Sequence, residues 1–156
     1  MKLFAIFGDP VAHSRSPLMH NSVFKNLNYK ACYTRVHLTD GSKLRETFFA
    51  LKLSGANITV PHKEAAYTAC DEVRGFAKKV GVVNTLINEN NKLIGYNTDA
   101  DGFMFAIKEF GAMKNILVLG AGGTAKALCT KFIDAGIKVT VLNRTASRLA
   151  YFKELG

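Results

Sequence analysis

Val118-Leu119-Gly120-Ala121-Gly122-Gly123-Thr124-Ala125 runs from an apolar stretch into a helical one through a loop with three glycines. Before it, Asn115 to Leu119 reads as a buried strand. After it, the pattern predicts a helix to about Asp134, a stop at Gly136 and a strand over Lys138 to Leu142. That order is one βαβ unit, and its loop fits G-x-G-x-x-A. Gly120 permits a tight turn, Gly122 lets backbone approach a pyrophosphate, and Ala125 is small enough for helix to pack on strand. Ala121, Gly123 and Thr124 complete the loop. The helix start then offers free N–H groups and a positive dipole end to phosphates. An ordinary glycine-rich βα turn is the alternative; the strand before and helix after favour a dinucleotide site.

The end of the second strand decides between cofactors. An NAD site places an acid there for the ribose 2′-hydroxyl. Here the positions read Asn143-Arg144-Thr145, with Arg148 following on the expected first helical turn. An acid would repel a 2′-phosphate, whereas a guanidinium pairs and stacks with it. These four residues point to NADP, against the reading of two solvated arginines at a helix start.

Working back towards the N-terminus, strand and helix signals alternate. Leu3 to Phe7 reads as a strand, Pro17 opens a helix through Leu27, and Ala31 to Leu38 is a second strand. Ser42 to Leu53 reads as a helix with Leu44, Phe48 and Leu51 on one face. Ala56 to Val60 is a third strand stopped by Pro61, with a short helix to Ala69 and another, capped by Asp71, to about Lys79. Val82 to Asn88 and Lys92 to Tyr96 flank a hairpin turn, and Asp99 to Phe110 reads as a longer helix. The expectation is an α/β protein. A mixed, mostly parallel domain over 1–99 precedes, over 100–156, a connector helix and the start of a Rossmann-like domain.

At 156 residues, 48% apolar and 21% charged, the chain has a globular composition. No apolar stretch reaches the ~18 residues of a membrane span. The opening run ends at Asp9-Pro10 without a small-residue cleavage site, so a cytoplasmic protein is expected. Cys32, Cys70 and Cys129 form no CxxC pair, and His13, His20, His37 and His62 have no HExxH spacing. Neither a disulfide framework nor a metal is expected. The net charge of +9 is spread along the chain with no nucleic-acid motif. A site for anionic small molecules and an imbalance from an acidic remainder beyond these residues together fit it better than nucleic acid.

Three segments concentrate polar side chains. In His13-Ser14-Arg15-Ser16-Pro17, two hydroxyls beside a helix start suit a small carboxylate, though Ser16 could equally be a helix cap. In the run from Asn57 to Lys63, strand alternation sets Asn57 and Thr59 on one face and Ile58 and Val60 on the other. Lys63 follows at the strand's C-terminal end, where parallel sheets bind ligands. Asn84 and Asp99 complete the set, and Asp99 could also be the N-cap of its helix.

Together with Gly81 to Thr85, Asn97 to Gly102, Gly120 to Ala125 and Asn143 to Arg148, these segments resemble, in order and spacing, the NADP-dependent shikimate dehydrogenase family. The resemblance implies interconversion of 3-dehydroshikimate and shikimate in aromatic amino-acid (chorismate) biosynthesis, with NADP as cofactor. It implies Ser14 and Ser16 on the substrate carboxylate; Asn57, Thr59, Asn84 and Asp99 on ring hydroxyls; and Lys63 with Asp99 as the catalytic pair. Gly120 to Ala125 would hold the diphosphate, and Asn143, Arg144, Thr145 and Arg148 the ribose phosphate. Family members continue well past Gly156, which implies an incomplete nucleotide domain here and little turnover from these residues alone. Quinate is the rival substrate. A non-catalytic module binding shikimate-like acids or a nucleotide is the rival class. A homodimer is an allowed assembly.

Overall fold

Leu3 to Phe7 alternates its side chains between two apolar surroundings, which puts this strand inside a sheet covered on both sides. In the computed structural model, which describes residues 1–155, it is Lys2–Gly8 (β1). Ala5 and Phe7 join one core cluster, whereas Phe4 and Ile6 join another. Ser16–Asn26 (α1) follows, then Ala31–His37 (β2), a 3₁₀ turn at Gly41–Lys43, and Leu44–Ala50 (α2). Gly55–Ile58 (β3) leads through Lys63–Ala69 (α3), the two-residue Glu72–Val73 (β4) and Phe76–Val80 (α4) to the hairpin Thr85–Glu89 (β5) and Lys92–Tyr96 (β6).

These six strands form one sheet in the order β2-β1-β3-β5-β6-β4. β2 and β3 run parallel to β1, and β4 runs parallel to β6; the hairpin supplies the antiparallel pairings of β5 with β3 and β6. Its turn works because Asn90 and Asn91 adopt φ of 52° and 64°, the left-handed region that asparagine tolerates in tight hairpins. Leu44, Phe48, Leu53, Leu86 and Leu93 pack with Ala5 and Phe7 in the larger core cluster, and Phe24 of α1 packs on the other side.

Three local expectations change. Leu51 is 42% exposed because α2 ends at Ala50, and Leu53 takes the buried place. β3 stops at Ile58, so alternation does not reach Val60, which is 65% exposed. Asp71 caps no helix; its carboxylate accepts from Arg45 at 2.8 Å and from the Leu93 N–H at 2.7 Å, fastening β6 instead.

The chain divides into Met1–Tyr96 and a second unit from Asn97 onward. The second holds Asp99–Ala106 (α5), a 3₁₀ turn at Lys108–Phe110, Asn115–Leu119 (β7), Gly123–Asp134 (α6), Lys138–Leu142 (β8), a 3₁₀ turn at Ala146–Leu149 and Ala150–Glu154 (α7). β7 and β8 form a parallel pair. Val118, Val139 and Val141 pack against Cys129 and Phe152, while Leu117, Leu119 and Leu142 are exposed. Among the described residues no helix is long and apolar enough to cross a membrane.

Candidate functional site

β3 ends beside the C-terminal end of β1, and backbone bonds tie its exit to neighbouring loops. The Thr59 N–H donates to the Phe7 carbonyl at 2.9 Å and the Asp9 N–H to the Val60 carbonyl at 3.0 Å. This approach requires a glycine: a Cβ on Gly8 would lie 2.5 Å from Cγ2 of Thr59. On the other side, the Ile58 N–H donates to the Asn84 carbonyl at 2.8 Å, and the Val83 N–H to the Lys63 carbonyl at 3.0 Å. One turn of chain and two tethers therefore gather Asn57, Thr59, Lys63 and Asn84 at one end of the sheet. Lys63 opens α3 behind His62, whose buried ring bonds the Leu38 carbonyl and anchors the turn.

The serine loop is held from below. The Ser14 N–H donates to the Val11 carbonyl at 3.0 Å, and Arg35 of β2 donates through Nε and Nη2 to the Ser14 carbonyl. Ser16 is not a cap, because α1 begins at Ser16 itself; the Ser14 hydroxyl instead accepts from the Ser16 N–H at 3.3 Å. Arg35 brings a positive charge beneath the loop expected to hold a carboxylate. Sequence reasoning missed it, since nothing local marks an arginine on an edge strand as the partner of a loop 21 positions away.

Asn57 has company that was also missed. The Tyr33 hydroxyl donates to its Oδ1 at 2.7 Å, and its Nδ2 donates to the Thr85 hydroxyl at 3.4 Å. Tyr33, Asn57 and Thr85 also line a cavity of about 540 Å³ with His20 and Phe24. Burial pushes the Tyr33 phenol well above its usual range, and the Asn57 backbone N–H offsets part of that. It is therefore a protonated donor at any working pH.

In the second unit, Asp99 is not its helix's cap: α5 begins at Asp99, and the Asn97 carboxamide accepts the Asp99 N–H at 3.1 Å. This Asx-type bond, just before the N-cap residue Thr98, fixes the start of α5 and leaves Asp99 in the first turn. Lys63 and Asp99 thus belong to different units.

The glycine loop follows β7 directly. Gly120 has φ +110°, a region closed to side-chain-bearing residues, and its N–H is tied to the Leu142 carbonyl at 2.8 Å. Space beside Gly122 is open, with no atom within 4 Å of where a Cβ would sit. The first turn of α6, Gly123 to Ala125, carries no acid, and Ala125 packs in the apolar cluster with Val118. Exposed backbone at an uncluttered helix start can receive a diphosphate. At the end of β8, Asn143, Arg144, Thr145 and Arg148 line a cavity of about 500 Å³, and none of the four is acidic. Asn143 Nδ2 bonds the Thr145 carbonyl at 2.8 Å, which sets the turn. Two guanidinium groups around a space without a carboxylate fit a phosphorylated ribose better than a bare one.

Known proteins resemble this chain in sequence and fold. A model of the shikimate dehydrogenase substrate binding domain matches residues 6–86, and one of shikimate / quinate 5-dehydrogenase matches residues 105–155. A shikimate dehydrogenase (NADP(+)) from Helicobacter hepaticus is 46% identical over 98% of this chain and 57% of its own length. The shikimate dehydrogenase of Aquifex aeolicus superposes with a TM-score of 0.92 at 37% identity, covering 99% of this chain and 60% of that one. The Thermus thermophilus shikimate 5-dehydrogenase in complex with NADP(H) and shikimate superposes at 0.86 with 39% identity, covering 100% and 61%. The chain therefore spans about 57% to 61% of these relatives' lengths. With both of its units matched in order, this chain belongs to the shikimate dehydrogenase family.

Proposed function

We propose that the protein interconverts 3-dehydroshikimate and shikimate with NADP as cofactor. The observation that carries the reading is the gathering of Asn57, Thr59, Lys63 and Asn84 at one end of the first sheet by backbone tethers. A polyhydroxylated ring needs such a set: amides and a hydroxyl to hold its oxygens, and one ammonium to act where charge develops. Ser14 and Ser16 hold the substrate carboxylate, supported by the charge of Arg35 under their loop.

NADPH, when bound, supplies the reducing equivalent. Gly120, Ala121, Gly122, Gly123, Thr124 and Ala125 hold its diphosphate, and Asn143, Arg144, Thr145 and Arg148 its ribose phosphate. The Lys63 ammonium stabilises the carbonyl oxygen as it gains charge and donates a proton to it. In the oxidative direction neutral Lys63 accepts that proton. Asp99 is the second residue of the catalytic pair in this reading, its carboxylate accepting from one ring hydroxyl. Small-molecule ligands and a cytoplasmic location belong to the same reading.

Steady-state oxidation of shikimate by the full gene product tests it. The expected result is turnover with NADP⁺ strongly preferred over NAD⁺, and with that preference reduced or reversed in Arg144→Asp. Equal use of both cofactors would remove the NADP assignment; faster turnover of quinate than of shikimate would replace the substrate.

A further inference from the structure

Tyr33 of β2, Asn57 of β3, Thr85 of β5 and Asn84 just before it form a row of hydrogen bonds with a single direction. The Thr85 hydroxyl has one proton and gives it to Asn84 Oδ1 at 2.8 Å. It can therefore meet Asn57 only as an acceptor, which turns the Asn57 nitrogen towards it at 3.4 Å. The oxygen of Asn57 then faces the other way, onto the Tyr33 hydroxyl at 2.7 Å, which must donate. Every bond in the row runs from Tyr33 towards Asn84.

Tyr33 is itself clamped. The Asn21 carboxamide accepts the Tyr33 N–H at 2.8 Å and donates to its carbonyl at 2.9 Å, standing in for a missing neighbour strand at the outer edge of β2. His20 stacks on the ring at 4.3 Å and 10°, and Ile6 of the intervening β1 packs in the same cluster. A side chain only 4% exposed is thus fixed from three sides with its hydroxyl aimed at Asn57.

We propose that Tyr33 is a positioning residue for the substrate site. By donating to Asn57 Oδ1, its hydroxyl holds one end of the carboxamide while Thr85 holds the other, so that Asn57 presents an N–H donor to ligand oxygens. The two ends of a carboxamide have nearly the same shape, so packing alone does not choose between them; the hydrogen-bonded partners do. Without the phenol, Asn57 can turn over and offer an oxygen instead. A ligand hydroxyl can adapt to that by donating, so affinity falls without vanishing. The identity of the ligand rests on the dehydrogenase reading above; the row does not.

The test uses Tyr33→Phe, which keeps the ring and removes the hydroxyl, and Thr85→Val, which cuts the row one step later. In the ligand-free protein, Tyr33→Phe should shift the side-chain amide NMR signals of both Asn57 and Asn84, whereas Thr85→Val should shift Asn84 while leaving Tyr33 in place. In the full gene product, Tyr33→Phe should raise KM for shikimate about tenfold, one hydrogen bond's worth, with kcat within about twofold. In an Asn57→Ala background the same change should have no further effect, because Tyr33 acts through Asn57. Unmoved carboxamide signals, or an undiminished Tyr33→Phe effect without Asn57, would overturn the proposal and leave the dehydrogenase reading standing. Shifted signals in a protein that does not turn over shikimate would keep the row and overturn that reading.

Discussion

β1 and β7 are the opening strands of two βαβ units, and each leads into a glycine, yet the two glycines do opposite work. Gly8 is needed for space, because Thr59 stands 2.5 Å from where its Cβ would be. Gly120 has open space around it and is needed for conformation, with φ at +110°. The first unit builds its site by crowding side chains together: Thr59 against Gly8, Tyr33 against Asn57, Arg35 against Ser14. The second leaves backbone exposed and side chains out of the way. A substrate distinguished by its hydroxyls calls for the first construction, and a diphosphate for the second.

The largest expected effect breaks the chemistry while sparing both constructions. Lys63→Ala in the full gene product should lower kcat by about 10²–10⁴-fold, with a much smaller change in shikimate affinity, measured by steady-state kinetics. A variant with nearly normal kcat would make Lys63 a surface charge.

Substituting the two glycines sharpens the contrast. Gly8→Ala should destabilise the protein by about 1–3 kcal/mol through overpacking, and should weaken shikimate binding more than cofactor binding. Gly120→Ala should carry a comparable strain of about 1–3 kcal/mol, and should weaken NADP⁺ binding more than shikimate binding. Denaturant melts and calorimetric titration of each variant report both quantities; swapped ligand effects would dissolve the distinction.

The two units also differ in how legible they are in sequence. β7 and β8 have the bounds their pattern implies because Gly120 and Gly136, at φ +110° and +74°, punctuate them sharply. The hairpin was readable from Asn90 and Asn91, and the placement of Lys63 from Pro61 and the strand before it. In the first unit, by contrast, Leu51 and Leu53 exchanged roles because a short helix ended earlier than its apolar spacing implied. β4 has two residues and carries no periodicity to detect. Tyr33 and Arg35 lie on an alternating edge strand, and their partners sit 24 and 21 positions away. Bonds of that span leave no local pattern; they appear only when the sheet order brings β2, β1 and β3 side by side.

A smaller effect compares the units through their thiols. Burial pushes Cys70 in the first unit and Cys129 in the second up to about 11, against an ordinary value of 9.0. Between those values the unfolded chain has released the proton that the folded chain keeps. Stability is therefore fully present below pH 9.0 and is lost as pH rises towards about 11. Thermal melts across that window should fall, and Cys129→Ala should remove part of the slope. An unchanged slope in that variant would mean that Cys129 carries none of it.

The central claim is that shikimate is held chiefly by side chains of the first unit, and NADP by the loop and strand end of the second. Two titrations of one ¹⁵N-labelled sample, first with shikimate and then with NADP⁺, test it most directly by amide chemical shift. The account predicts that shikimate moves Ser14, Ser16, Asn57, Thr59, Lys63 and Asn84. It predicts that NADP⁺ moves Gly120 to Ala125 together with Asn143, Arg144, Thr145 and Arg148. Shikimate shifts centred on the glycine loop, or NADP⁺ shifts that spare Arg144 and Arg148, would contradict it.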